Sequence, residues 1–501
     1  MNDSIEEELQ RGAFVNVLGT LGKIAGPSFL IVVTRLYGAD VFGIFITATS
    51  FVEMALAFLT AGFKDGALMS VARHADYEEE KDRLYQLLSN TLGWSLFFSG
   101  ALILLAFTVG QWVLPMLYDE YGGRLLIALQ LMVLVLPVLA FDRIVIAATQ
   151  GLKIMKYDAI SNGGLRPLTL LGTAVGFWFF LPTETGLALA YVATQFILGG
   201  FALWFYTREL EWGPLVAAFR HFELDYDMLR FAIPQNLNMS LERFITNIDV
   251  IMLGMFGVSA SLTGLYGAGS RVVRELLNIK QIFSNAFVPH VVRLHRSDQD
   301  TRLSEMFSKT SRWIATIAIP ALLAIAVLRA DILRLVSPEF AGADARFMLA
   351  LLPIPYVQCS FSLAGNIVVM TGHSRLNLLN SSTTAITNAL LNVWLIPVLG
   401  PLGAALASAG STVLKTGMEL TEARLVAHAR LLLRAIWQPH LAGGLAVGGL
   451  LLAFSLSPVL DSSFGYRAGT LAGTILLYGG LLVALYGRLP HLPEFLSEES
   501  Q

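Results

Sequence analysis

Cysteine and charge are both scarce in this 501-residue sequence. The single cysteine, Cys359, excludes an intrachain disulfide and a cysteine-rich metal site. The eight histidines do not have the spacing of metal ligands, so we expect no metal and no cofactor. Charged residues make up only 14% of the chain and apolar residues 55%, which excludes a soluble protein with an ordinary charged surface.

The motifs of nucleotide-hydrolysing and secreted proteins are missing as well. The segment from Gly410 to Thr416 ends in lysine and threonine, but it lacks the second glycine of a phosphate-binding loop and lies in an apolar run. We therefore expect no ATP hydrolysis at this segment. The first eleven residues contain three glutamates where a signal peptide carries cations, so no cleaved signal peptide is expected.

What the sequence has instead is a succession of apolar runs. They are roughly 18 to 25 residues long, the length that crosses a bilayer as a helix. We predict an all-α polytopic membrane protein with about 14 transmembrane helices. The predicted spans are centred near Gly22, Ala55, Phe98, Leu136, Leu170, Ala193, Phe244, Leu276, Ala318, Val357, Leu390, Ser411, Val447 and Leu476. Lysine and arginine concentrate in the connections that this count places inside, so both termini are predicted to be cytosolic.

The two halves of the sequence resemble each other. Gly43 aligns with Gly264 at an offset of 221 residues, and the segment GLALA at Gly186 resembles GAALA at Gly403 at an offset of 217. The order and the near-constant offset indicate a duplication. Because six spans separate equivalent points, the copies have the same orientation and are related by a pseudo-twofold axis along the membrane normal.

Polar and charged residues inside the predicted spans form stripes at helical spacing. Asn16 and Lys23 share a stripe in the first span, and Arg243 lies on the equivalent stripe of the seventh. A charge facing lipid costs about 2.5 to 3.5 kcal/mol on insertion scales, so the stripes should face a water-accessible cavity. Fixed cations there indicate that an anion is handled within the membrane. The candidate substrate-binding residues are Asn16, Lys23, Glu53, Arg243, Arg271, Arg274, Asn278 and Gln281.

Some of these residues also have a structural explanation, which the sequence leaves open. Arg271 and Glu275 are four residues apart on one predicted helix, as are Arg243 and Asn247. Side chains at this spacing are neighbours and can satisfy each other. The arginines would then hold helices together and bind no substrate.

The carboxylates are equally open to two interpretations. Glu53 occupies the place equivalent to Arg274 on the duplicated helix, so the two are expected to face each other across the cavity. Glu53 then either neutralises an arginine or takes part in ion coupling. Asp249 is either a helix-packing residue or a cation ligand. Asp142 and Arg143 in the fourth span are expected to form an interhelical pair near the membrane edge.

Two segments carry a resemblance to a known family. The first runs from Arg35 to Phe45, reads RLYGADVFGIF and follows a glycine-rich span. The second, from Asn247 to Gly254, reads NIDVIMLG and is followed by Gly-Leu-Tyr at 264–266. Together with the span count and the repeat, these segments make nearly the whole chain resemble bacterial polysaccharide transporters. These are the oligosaccharide flippase family of the multidrug/oligosaccharidyl-lipid/polysaccharide (MOP) exporter superfamily.

The resemblance implies both an architecture and a function. It implies two six-helix lobes, here residues 1–208 and 209–436, followed by two extra helices in 437–488 and a cytosolic tail in 489–501. It implies flipping of polyprenyl-pyrophosphate-linked oligosaccharides across the bacterial inner membrane by alternating access, for O-antigen, capsule or exopolysaccharide. Implied partners are the lipid-linked glycan, membrane lipid, and the polysaccharide polymerase and export machinery, with no nucleic acid. Lys23, Arg271 and Arg274 lie on helices comparable to those that hold pyrophosphate in peptidoglycan-precursor relatives.

Two other functions stay open. A cation-coupled antiporter for small molecules or drugs would depend on a carboxylate such as Glu53 or Asp249, although the first span lacks the acidic residue that such antiporters often use. A membrane glycosyltransferase or polymerase of the same pathway would need a sizeable outward loop for its catalytic site. The longest outward loop expected here, from Arg329 to Arg346, is short.

The charge distribution makes a topological prediction. The segments from Phe63 to Tyr85 and from His290 to Arg312 contain four and five lysines and arginines, so both are expected in the cytosol. Single cysteines placed in each segment of a Cys359→Ser variant should resist a membrane-impermeant thiol reagent in intact cells and react after lysis. Labelling of both segments from outside would contradict this topology.

Overall fold

Helices account for all the regular structure that the described residues contain. The computed structural model describes residues 25–74, 81–220, 226–297, 299–342, 344–457 and 463–486, and no strand occurs among them. The predicted first span, centred near Gly22, lies mostly outside these ranges, as do Asn16 and Lys23. The all-α fold class is confirmed.

The helices are numbered in chain order. They are α1 (Ala25–Tyr37), α2 (Ala39–His74), α3 (Lys81–Thr108), α4 (Gly110–Leu117), α5 (Gly122–Val133), α6 (Leu136–Gly151), α7 (Lys156–Ile160), α8 (Arg166–Trp178), α9 (Glu184–Glu209), α10 (Trp212–Arg220), α11 (Tyr226–Met255), α12 (Ala260–Glu275), α13 (Leu277–Arg296), α14 (Asp300–Val336), α15 (Arg346–Leu351), α16 (Pro353–Phe361), α17 (Leu363–Met370), α18 (Ser374–Leu399), α19 (Pro401–Val426), α20 (Leu433–Leu456) and α21 (Phe464–Tyr486). A π-helical turn, Ser161–Leu165, joins α7 to α8.

Seven of the described helices are long and apolar enough to cross a membrane. The number rises to nine if the bent pairs α5–α6 and α15–α16 with α17 each count as one span. Pro137, near the start of α6, lacks the amide hydrogen that would continue a helix from α5, which accounts for the first bend. Every predicted centre from Ala55 onward falls in or beside one of the 21 helices given above, but the total of about 14 spans stays a prediction.

Helix ends extend further than the apolar runs predicted. The segments expected as loops around residues 63–85 and 290–312 are largely helical, because α2 continues to His74 and α14 begins at Asp300. The side of the membrane on which these segments lie stays a prediction. Hydropathy falls where a helix leaves the hydrocarbon layer, whereas its backbone hydrogen bonds continue into water.

The chain forms two compact units. Unit 1 ends at Leu265 and also includes Val336–Glu339, and unit 2 contains the rest. The boundary falls inside α12, well beyond the predicted lobe boundary at residues 208 and 209, because α11 packs along α2. The lobes defined by the duplication stay a prediction.

Unit 1 is held together by bonds between helices far apart in sequence. The Tyr118 hydroxyl donates to the carbonyl of Ile251 on α11 at 2.9 Å. The indole of Trp178 on α8 donates to the carbonyl of Leu36 at 2.8 Å. A carboxylate oxygen of Glu339 accepts from the backbone amide of Ala39 at 2.8 Å, so it supplies the partner that the first turn of α2 lacks.

Unit 2 has an apolar and a polar set of contacts. Buried alanines and leucines of α14, α20 and α21 form one apolar cluster, which fixes the last two helices. Arg467 on α21 adds two hydrogen bonds of 2.7 Å to Asp331 on α14. In the pair α18–α19, the buried amide of Asn388 donates to Ser408 and Ser411 at 3.4 and 3.3 Å. Amide and hydroxyl groups of this kind join helices inside a membrane.

Two glycines that the duplication aligns are in direct contact within unit 1. A Cβ on Gly43 would lie 1.8 Å from the carbonyl oxygen of Ala260, and one on Gly264 would lie 2.8 Å from that of Ala39. Both obstacles are backbone atoms, so no side-chain rotation relieves them. Helices α2 and α12 therefore approach each other backbone to backbone at this point.

This contact predicts a specific loss of stability. Gly43→Ala should lower the thermal unfolding temperature of the detergent-purified protein, because the new methyl group can be accommodated only if the two helices separate. Gly100→Ala on α3, where a Cβ meets nothing within 4 Å, should leave it unchanged or slightly higher. Equal unfolding temperatures for the two variants would show that the contact is not close.

Candidate functional site

The predicted site residues within the described ranges fall into two groups, one in each unit. Glu53, Arg243 and Asp249 belong to unit 1. Arg271, Arg274, Asn278 and Gln281 belong to unit 2. Asn16 and Lys23 lie outside the described residues.

In unit 1, Glu53 on α2 faces two side chains of α11. Its Oε2 lies 3.9 Å from Nη1 of Arg243 and 3.4 Å from Nδ2 of Asn247. Asn247 also donates to the backbone carbonyl of Arg243 at 3.0 Å. The side chains of Arg243 and Glu53 are 53% and 45% exposed, and pairs this accessible contribute less than about 1 kcal/mol. Glu53 thus has an arginine partner in its own unit, and its expected position opposite Arg274 stays a prediction.

Arg166, on α8 of unit 1, bonds to side chains of three different helical segments. Its guanidinium donates to Asp142 on α6 at 2.5 Å, to Gln195 on α9 at 3.2 Å and to Asn162 in the π-helical turn at 3.1 Å. Asn162 in turn donates to Asp158 at 2.7 Å. The Asp142 side chain is 2% exposed, so this is a buried ion pair that ties α6, α8 and α9 together.

The ion pair expected between Asp142 and Arg143 is wrong, because Asp142 bonds to Arg166. Consecutive residues of a helix point in directions about 100° apart and do not face each other. Arg143 lies within electrostatic reach of Asp142, Arg166, Arg243 and the Tyr191 ring. Its Nε is buried and donates to no partner among the described residues, and Oδ1 of Asp142 accepts from none of them.

These residues form one polar group inside unit 1, which we call the unit 1 charge cluster. Its members are Glu53, Asp142, Arg143, Asp158, Asn162, Arg166, Tyr191, Gln195, Arg243 and Asn247. Three arginines meet three carboxylates, so the cluster is balanced in charge. Asp142, Gln195 and Asn247 are buried, and the pair of Glu53 and Arg243 is the accessible edge of the cluster.

Sequence reasoning missed Arg166, Tyr191 and Gln195. The signal for Arg166 was present, since Asp158, Asn162 and Arg166 are spaced four residues apart in front of an apolar run. The same spacing of four residues relates Arg243 to Asn247. Arg166 lies outside the first and seventh spans, where the duplication places equivalent polar stripes.

In unit 2 the four candidate residues are divided between two helices. Arg271 and Arg274 lie on α12, whereas Asn278 and Gln281 lie on α13, because the helix breaks at Leu276. The predicted span centred near Leu276 is thus formed by two helices separated by one residue. Both arginines are half-buried and interact with other residues of the chain.

The neighbours of these arginines are polar too. Asn278 donates to Glu275 at 2.6 Å, and Gln281 donates to Asn285 at 2.8 Å. Both of these hydrogen bonds lie at the protein surface. Lys280, also on α13, donates to Ser362 at 2.7 Å. The two arginines at the end of α12 are thus followed by the accessible amides of Asn278 and Gln281. Polar surroundings of this kind suit an anionic group.

Asp249 has a different environment from the other candidates. It is fully buried in α11 and interacts within the protein. Among the described residues, no three histidine, cysteine or carboxylate side chains are grouped so that they could hold a metal ion. A role of Asp249 in ion coupling stays a prediction.

The sequence matches a family profile over most of the region that builds these groups. The profile of the polysaccharide biosynthesis protein family matches residues 32–338, which is more than half of the chain. The chain belongs to this family. A curated relative, the probable flippase AglR of Haloferax volcanii, is 28% identical over 168 residues. That match covers 32% of this chain and 34% of the relative, so the chain spans about a third of the relative's length.

Solved structures of MOP-superfamily transporters share the fold of this polysaccharide biosynthesis protein. The lipid II flippase MurJ in an inward closed conformation has a TM-score of 0.69 at 13% identity, over 95% of this chain and 99% of MurJ. An inward-facing multidrug MATE transporter has a TM-score of 0.65 at 11% identity, over 83% and 98%. The MATE multidrug transporter DinF-BH reaches 0.58 at 18% identity, over 82% and 94%. The chain is thus a multi-pass membrane protein with the fold of these transporters.

The buried ion pair predicts the larger of two stability losses. Asp142→Asn leaves the Arg166 cation without its carboxylate in a buried site, a change that typically costs about 3 to 5 kcal/mol. Asp344→Asn removes the carboxylate from an exposed pair with Arg346 and should lower the stability much less. Thermal unfolding in detergent compares the two variants, and equal losses would contradict the role assigned to Arg166.

Proposed function

We propose that this protein flips a polyprenyl-pyrophosphate-linked oligosaccharide across the membrane by alternating access, for the assembly of surface polysaccharide. The family assignment supports a place in polysaccharide biosynthesis, and the relative named as a probable flippase supports the transport step. The fold supports a transporter over a membrane glycosyltransferase or polymerase. We place the protein in a bacterial inner membrane with both termini in the cytosol.

The observation that carries the proposal is the set of partly exposed arginines on membrane helices. Arg243 is 53% exposed, and Arg271 and Arg274 are half-buried on α12. A pyrophosphate with attached sugars cannot enter hydrocarbon unaided, because its charges and hydroxyls would lose their hydration. Guanidinium groups replace that hydration through paired, charge-assisted hydrogen bonds to phosphate oxygens.

The other parts of the substrate follow from the same physics. The polyprenyl chain remains in lipid, where it needs no polar partner. The accessible amides of Asn278 and Gln281 are suited to sugar hydroxyls, since an amide both donates and accepts hydrogen bonds. The polymerase and export machinery would take the product outside, and that consumption or a gradient supplies the driving force.

A cation-coupled drug antiporter is the second candidate. The likeness to multidrug MATE transporters and the presence of Glu53 and Asp249 on membrane helices favour it. It requires transport of a free solute that stops when a carboxylate is removed. The two candidates therefore differ in the substrate that accumulates, lipid-linked glycan inside the cell or free drug.

The arginines of α12 make the decisive prediction. Arg271→Ala or Arg274→Ala should abolish surface polysaccharide in a strain that lacks the gene, because each removes a fixed charge from the site of the pyrophosphate. Loss of one partner of a confined, hydrogen-bonded charge pair costs about 2 to 5 kcal/mol, so the defect should be large. Arg274→Lys should rescue only in part, since it keeps the charge and loses the paired geometry.

The control is Arg346→Ala, which removes an exposed arginine that pairs with Asp344. It should leave polysaccharide normal. Membrane levels of each variant are measured alongside. Normal polysaccharide from the Arg271/Arg274 double alanine variant would refute the cationic site, and loss of the protein itself would favour a structural network.

A further inference from the structure

Glu53, a charged residue on membrane helix α2, contacts two side chains of α11. The two donors that approach it, Arg243 and Asn247, lie one turn apart on α11 and converge on the same oxygen, Oε2. One donor is a guanidinium and the other an amide. The guanidinium lies at ion-pair distance from Oε2 and the amide at hydrogen-bond distance, and N–H groups of these two kinds are suited to an oxyanion.

The carboxylate is held loosely in this arrangement. Its contacts are 3.9 and 3.4 Å long, whereas the chain pairs Asp142 with Arg166 at 2.5 Å and Asp331 with Arg467 at 2.7 Å. Glu53 is also 45% exposed, while Asp142 and Asp331 are 2% and 14% exposed. The chain thus builds tight ion pairs elsewhere and leaves this one open.

We infer that the edge of α11 formed by Arg243 and Asn247 is an oxyanion-binding site, and that Glu53 occupies it until a phosphate-type anion of the substrate displaces the carboxylate. The inference rests on the proposed function, since it assigns the substrate's phosphate a contact in unit 1. Glu53 acts as an internal stand-in for the ligand.

The surroundings of the site favour an anion over an apolar or cationic ligand. Arg143 lies within electrostatic reach of Arg243, and its buried Nε has no hydrogen-bond partner among the described residues. Tyr191 lies within reach of both Glu53 and Arg143. When the carboxylate leaves, the positive charge of two arginines is balanced by the incoming anion, and the half-exposed Glu53 regains contact with water.

Binding of pyrophosphate to the purified protein in detergent tests the inference. Glu53→Gln removes the competing charge and keeps the size of the side chain, so inorganic pyrophosphate should bind roughly three- to tenfold more tightly than to the wild type. Arg243→Gln should weaken binding at least about tenfold. A polyprenyl pyrophosphate probe is measured in parallel, with polyprenol as the uncharged control, and shows whether the anion is recognised free or on a lipid.

The matched control is Asp344→Asn, which also frees an arginine, Arg346, but away from the unit 1 charge cluster. It should leave pyrophosphate affinity unchanged. Unchanged or weaker binding to Glu53→Gln, or equal tightening in Asp344→Asn, would overturn the inference. Asn247→Ala provides a second test that does not alter charge and should weaken binding several-fold; wild-type affinity would overturn the inference too.

The binding assay separates this inference from the proposed function. If Glu53→Gln binds pyrophosphate no more tightly, while polysaccharide export still requires Arg271 and Arg274, only the oxyanion site at α11 is wrong. If export is independent of those two arginines and Glu53→Gln still tightens binding, the site on α11 stands and the proposed route of the substrate fails.

Discussion

A charge on a membrane helix must find its counter-charge inside the protein, and the pair of Arg166 and Asp142 meets that constraint in the interior of unit 1. One guanidinium bonds to three helical segments at once, and its carboxylate partner is almost fully buried. The π-helical turn before α8 places Asn162 at one side of Arg166. Local irregularity of this kind is frequent at functional positions. The tightly bonded residues around Arg166 support the looser pair of Glu53 and Arg243, because α6 and α9 also pack on α2, which carries Glu53.

The two ion pairs of the cluster differ in contact distance and in exposure, and this difference suits them to different roles. A short, buried pair resists exchange with solvent and suits a permanent joint between helices. A long, half-exposed pair has little stability of its own and can exchange partners. The same chain contains both kinds of pair within one unit, so the difference comes from position in the fold and not from the residue types.

The sequence predicted the helices far better than the contacts. Apolar runs located nearly every helix, since the bilayer sets their length, and the repeat singled out Gly43 and Gly264, which lie in contact. The helical period also placed Arg243 and Asn247 on one face, as the structure has them. These are consequences of local geometry, which sequence spacing encodes.

Other features depend on the neighbour across the interface and could not be read from spacing. The partner of Asp142 is 24 residues away on another helix, so the adjacent Arg143 was a misleading candidate. The break at Leu276 has no proline or glycine to announce it. The sequence therefore indicates one helix for the candidates from Arg271 to Gln281, although they lie on two.

The bond from Glu339 to the first turn of α2 has a consequence for how the protein is made. Helix α2 leaves the ribosome 300 residues before the carboxylate that completes its N-terminal turn. Helix α11, which packs along α2, also arrives late. Although domains generally fold in order of synthesis, unit 1 cannot be finished when its own first helices are inserted. The bond between Glu339 and Ala39 can therefore form only after more than two thirds of the chain has been synthesised.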